Sequence, residues 1–79
     1  MPTILRVGRY RFFFFSNEGN EPPHIHVEAG EALGKVWLDP VSVARQGRFS
    51  AKDIGDIIDI VQAHQQNLLE AWHGYFHRP

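Results

Sequence analysis

The chain has no cysteine. Disulfides, thiolate metal ligands and a cysteine nucleophile are thereby excluded, and a reducing, cytoplasmic setting is the expected one. Long apolar runs are missing too. None approaches the ~20 residues that span a bilayer, so no membrane partner is expected. Residues 1–12 carry Arg6, Arg9 and Arg11 where a secretory signal would be apolar. Hydroxyl side chains other than tyrosine are limited to Thr3, Ser16, Ser42 and Ser50, and nothing in the sequence sets a base beside any of them. There is no glycine-rich phosphate loop ending in Lys-Ser or Lys-Thr, no nucleophile elbow and no metalloprotease helix pair. The charge balance is close to even, at a formal −1 with histidine neutral, unlike a strongly basic nucleic-acid binder. No repeat, biased tract or linker divides the chain, so residues 1–79 read as one domain.

Aromatic side chains are what the chain has in quantity: six Phe, two Trp and two Tyr in 79 residues. A chain this short buries only about 60% of the surface its unfolded form exposes, so a few large rings must carry the core. The second feature is Pro22-Pro23-His24-Ile25-His26-Val27-Glu28. In an extended segment side chains alternate, so His24, His26 and Glu28 share one face while Ile25 and Val27 turn to the core. The two prolines stiffen the entry to His24. Imidazoles on one strand face lie roughly 6.5–7 Å apart at Cβ, close enough to converge on one ion or to act as acid and base near neutral pH. The alternation places both rings outward and accessible. His24 and His26, with Glu28 as a third member, are therefore the candidate catalytic residues, and His24 and His26 are the candidate ligands of a divalent metal. Glu28 stands two steps further along, so a third metal ligand is needed from elsewhere.

The remaining elements follow from local pattern. Thr3–Val7 reads as a strand, Gly8-Arg9 as a turn, and Tyr10–Ser16 as a second strand. Phe12 and Phe14 fall on one face of it, Phe13 and Phe15 on the other. A strand apolar on both faces is covered on both faces, and a partner chain could supply the second cover; one face of Phe12, Phe13, Phe14 and Phe15 is the candidate partner-binding surface. Asn17–Pro23 is a polar loop rich in turn formers. His24–Glu28 and Leu33–Leu38 make two more strands about the turn Ala29–Ala32, and Val41–Ala44 makes a short strand or a helical turn. Ser50-Ala51-Lys52-Asp53 resembles a capping box. Ile54, Ile57, Ile58, Val61, Leu68, Leu69 and Trp72 then recur at helical spacing, with Gly74 a natural stop. The fold class expected is α+β: an antiparallel sheet of about three to five strands over residues 3–45, and one long C-terminal helix over about 50–73 packed on one face.

Three further groups bear on function. Arg6, Arg9 and Arg11 form a local cationic edge, suited either to holding phosphates of a substrate or to keeping an edge strand soluble. Asp53, Asp56 and Asp59 recur every three residues as a solvated helix face. His64 lies on or beside the apolar stripe and reads as a core histidine with one hydrogen-bond partner. His73 and His77 stand four apart, but Gly74 intervenes and the chain ends at Pro79.

Taken in succession, Pro2-Thr3-Ile4, Tyr10-Arg11-Phe12-Phe13-Phe14, Ser16–Gly19, Glu21-Pro22-Pro23-His24-Ile25-His26-Val27, Trp37-Leu38-Asp39-Pro40 and Glu70-Ala71-Trp72-His73 resemble the small bacterial proteins of domain of unknown function family 4160. The resemblance implies a protein encoded beside another small protein, and a toxin–antitoxin pair in which this chain is the toxin and a small cognate antitoxin its partner. On that reading His24 and His26 act on RNA as acid and base. The alternative is a non-catalytic metal- or protein-binding regulatory module. A homodimer is a further option for the doubly apolar strand.

Overall fold

The computed structural model describes residues 3–76. Five strands, β1 (Thr3–Val7), β2 (Tyr10–Phe13), β3 (His24–Ala29), β4 (Ala32–Leu38) and β5 (Val41–Arg45), are followed by two helices, α1 (Ala51–Ala63) and α2 (Gln65–Phe76). The strands pair antiparallel in chain order, which makes β1 and β5 the sheet edges. The fold is thus α+β, with residues 41–45 resolved in favour of a strand.

Short turns set this order. Val7 pairs with Tyr10 across Gly8-Arg9, and Gly8 has φ +56°, a left-handed conformation that glycine adopts without a Cβ clash. Ala29 pairs with Ala32, and Leu38 with Val41. The register aligns Phe12 with Val27 and Ile25 with Val36, so the aliphatic residues of β3 face the helices as their alternation requires. Phe12, Ile25, Val27, Val36 and Leu38 meet Ile57, Val61, Leu68 and Trp72 in one buried core.

The single long helix expected over residues 50–73 is two. Ser50 caps α1 by accepting a bond from Asp53 N–H at 3.0 Å. At His64 the backbone leaves helical geometry (φ −112°, ψ 15°), and the ring Nδ1 donates to the Ile60 carbonyl at 2.9 Å. The His64 N–H still reaches the Ile60 carbonyl at 3.1 Å but is shared with the Val61 carbonyl at 3.2 Å, the tightening toward i→i−3 bonding common at a helix end. Gln65 then anchors α2 by donating from Nε2 to the Leu38 carbonyl at 2.7 Å. Gly74 does not stop the chain either: α2 runs to Phe76, which brings its last aromatic turn against residues 14–23.

Candidate functional site

The site lies on the sheet face opposite α1. The pairing of β2, β3 and β4 sets Phe13, His26 and Lys35 in one cross-strand row and His24 beside Trp37 in another. Residues 14–23 fold back over this face. Glu18 and Glu21 bracket a turn closed by Glu21 N–H to the Glu18 carbonyl at 3.1 Å. Glu21 takes an ion pair from Lys35 at 2.6 Å. Gly19 passes close to the end of α2: a Cβ there would stand 2.7 Å from the Phe76 ring, so any larger residue would force the loop or that ring to move.

The loop delivers one carboxylate to both histidines. Glu18 Oε1 lies 2.8 Å from His24 Nε2 and 2.7 Å from His26 Nε2. The other nitrogen of His24, Nδ1, donates to the Pro22 carbonyl at 2.9 Å. Rings close the box: Phe13 stacks on His26 and Phe15 meets it edge-on, while Trp37 and Trp72 flank His24. The histidine side chains are 0% and 6% exposed, and Glu18 retains 19%.

Burial of Glu18 by itself would raise its pKa, but the bonds from His24 and His26 outweigh it and hold the carboxyl below its usual range. His26 is lowered, first by burial and then by the nearby charges of His24 and Lys35, against the pull of Glu18. An ionised Glu18 accepts from both rings. For His24 the consequence is specific. Both of its nitrogens face oxygen atoms, the Pro22 carbonyl at 2.9 Å and Glu18 Oε1 at 2.8 Å, so the ring is held at both ends. His26 needs only its Nε2–H to satisfy the same oxygen.

Several sequence expectations are corrected here. The strand is extended and its histidines share a face as expected, but the rings are sealed, because the chain's own loop and Trp72 cover them. Glu28 does not join the cluster. It pairs with Arg11 at 2.6 Å across the β2–β3 register, and Glu18, six and eight residues upstream of the histidines, takes the third place. The arginines do not line the histidine site: Arg9 reaches Asp53 at 3.5 Å, Arg11 binds Thr3 and Glu28, and Arg6 lies exposed on β1. The Phe run needs no second chain to cover it. Phe12 and Phe14 enter the helix-side core, Phe13 is 2% exposed beneath the loop, and only Phe15 stays partly open. His64 has the single partner expected of it but is half-buried rather than a core residue, and it stands outside the histidine pair. The Asp53 carboxylate is taken by Arg9 and Tyr10 and that of Asp56 by Lys52, so these two members of the stripe are held by neighbours rather than simply solvated. His77 lies outside the described residues, and His73 is exposed on α2.

Among the described residues, Glu18, His24 and His26 are the group whose ligand atoms converge, all within 4.8 Å of one another. A second feature lies at the β1 edge: a cleft of about 190 Å³ walled by Ile4 and Leu5 of β1 and by His64, Asn67, Leu68 and Ala71. No described helix is long and apolar enough to cross a membrane. In comparison with known proteins, residues 10–73 match the family described as Domain of unknown function (DUF4160), a span that contains the whole histidine cluster. No curated protein and no solved structure matches the chain.

Proposed function

The chain belongs to the DUF4160 family, and from that footing we propose that it is a non-catalytic binding module that recognises a small cognate protein. The observation that carries this reading is the sealing of His24 and His26. A general acid and base must reach the proton they move, and here both Nε2 atoms point at Glu18 beneath a folded loop. Acid–base action on RNA would require that loop to lift and two short hydrogen bonds to break.

What the chain leaves open suits a protein instead. β1 is an edge strand, and an extended segment can pair with such an edge through its main chain. The cleft beside Ile4 and Leu5 would take one apolar side chain of that segment. Arg6 is exposed on the same strand, which favours an acidic partner. In a toxin–antitoxin pair, such a module would act by occupying its target rather than by cutting it.

The test has two arms. The purified chain is incubated with labelled RNA, and its complex with the product of the adjacent gene is measured by calorimetry. Intact RNA together with a complex weakened at least tenfold by Leu5→Glu is the expected result. RNA cleavage that disappears in His24→Ala would overturn the proposal in favour of an enzyme.

A further inference from the structure

We propose that Glu18, His24 and His26 form a binding site for one first-row divalent transition metal of the zinc class, held by Glu18 Oε1 and the Nε2 atoms of both histidines. The argument begins with the hydrogen-bond inventory. Two ring nitrogens are aimed at one carboxylate oxygen, at 2.7 and 2.8 Å. Satisfying that arrangement with protons alone requires either an ion pair involving a ring at 0% exposure, boxed by Trp37 and Trp72, or a protonated Glu18. Burying such a charge is costly even when it is paired. One cation among the three atoms satisfies them all without it. In the exchange the hydrogen shared between Glu18 Oε1 and His24 Nε2 leaves to solvent as a proton, and the proton of His26 moves from Nε2 to Nδ1.

Three observations make the site a built one. The atoms lie within 4.8 Å of one another, and ligands around a tetrahedral ion with bonds of about 2.0–2.2 Å are spaced about 3.3–3.6 Å apart. Closing on a metal therefore asks the two hydrogen-bonded pairs to open by somewhat over half an ångström and the two histidine nitrogens to draw together by about an ångström or more. Next, His24 already donates from Nδ1 to the Pro22 carbonyl. That outer bond is the kind that fixes the tautomer of a metal-binding histidine and leaves Nε2 to face the ion. Finally, the donor set is two imidazoles and one carboxylate, which favours zinc and its neighbours over calcium or magnesium. Glu18 keeps 19% exposure, so a water can complete the coordination from the loop side. The metal would tie the loop to β3, a site separate from the β1 edge.

The test uses the full chain after chelator treatment. Isothermal titration with Zn²⁺ alone should show one equivalent bound by wild type and by His73→Ala, and at least tenfold weaker binding by Glu18→Ala and His26→Ala. Glu18→Gln preserves side-chain volume and guards against loss of fold; it too should bind at least tenfold more weakly while its circular dichroism matches wild type. In imidazole ¹⁵N spectra, the Nε2 resonances of His24 and His26 should shift together on Zn²⁺ addition and that of His64 should stay. A folded wild type that takes up no Zn²⁺, undiminished uptake by folded Glu18→Gln, or uptake lost in His73→Ala would overturn the proposal.

Discussion

Glu18→Ala is the substitution that most directly probes how the site is held. The side chain accepts hydrogen bonds from two imidazoles at 2.8 and 2.7 Å and is only 19% exposed. Its removal leaves two buried ring nitrogens without a partner. Each unmet buried group costs about 1–3 kcal/mol, and water entering the vacated space recovers part of it. The net loss should be about 2–4 kcal/mol. For a domain of this size about 1 kcal/mol moves the melting temperature by about 4–8 °C, so the midpoint should fall by on the order of 10–30 °C. Urea unfolding at low temperature, followed by tryptophan fluorescence, gives the free energy directly, since Trp37 and Trp72 both touch the site. Glu28→Ala is the matched control. That carboxylate has 42% exposure and a pair with Arg11, so its loss should stay within about 1 kcal/mol. If Glu18→Ala costs no more than Glu28→Ala, the loop carboxylate does not hold the histidines and the description of the site is wrong.

Further expectations concern acid, the loop and the aromatic lid. Glu18 titrates below its ordinary 4.5 and His26 below its ordinary 6.5 in the folded chain. The unfolded chain therefore binds more protons than the folded one in both ranges, and stability should fall as pH drops from about 6.5, then further below about 4.5; a flat urea midpoint between pH 7 and pH 4 would contradict this. Gly19→Ala places a methyl 2.7 Å from the Phe76 ring and should cost about 1–3 kcal/mol through forced displacement, with faster hydrogen exchange at the Glu21 amide as its local sign. Phe13→Ala should cost about 3–5 kcal/mol, because this ring is 2% exposed and stacks on His26; a loss under about 1 kcal/mol would mean that the second sheet face is not truly closed.

Much of the fold was legible because period and turn chemistry speak locally. Gly8 and Gly30 mark two-residue hairpins, the alternation in residues 24–28 separates Ile25 and Val27 from the histidines, and Ser50 announces α1. The break at His64 also left a trace. Between Val61 and Leu68 the apolar stripe misses a full turn, and the position that should carry it holds His64 and Gln65. Spacing alone bridged that gap, because a helix can carry one polar turn; the backbone leaves helical geometry at His64, whose N–H is shared between the Ile60 and Val61 carbonyls.

The third member of the site was hidden for a different reason. Strand alternation ranks Glu28 as the natural companion of His24 and His26, since it shares their face by construction. Yet Glu28 sits directly opposite Arg11 in the register, and an oppositely charged cross-strand neighbour claims it first. Glu18 reaches the histidines only because Pro22 and Pro23 turn the chain, Lys35 holds Glu21, and Gly19 lets the loop pass under Phe76. The last two of those contacts are long-range, and none has a period. The same loop explains the Phe run. A second sheet face needs cover, and ten residues between β2 and β3 provide it once Glu18 gives them something to bind beneath. The doubly apolar strand and the histidine pair, which read as two separate functional features, are therefore one structural problem with one solution, and any ligand that pulls on Glu18 acts on both.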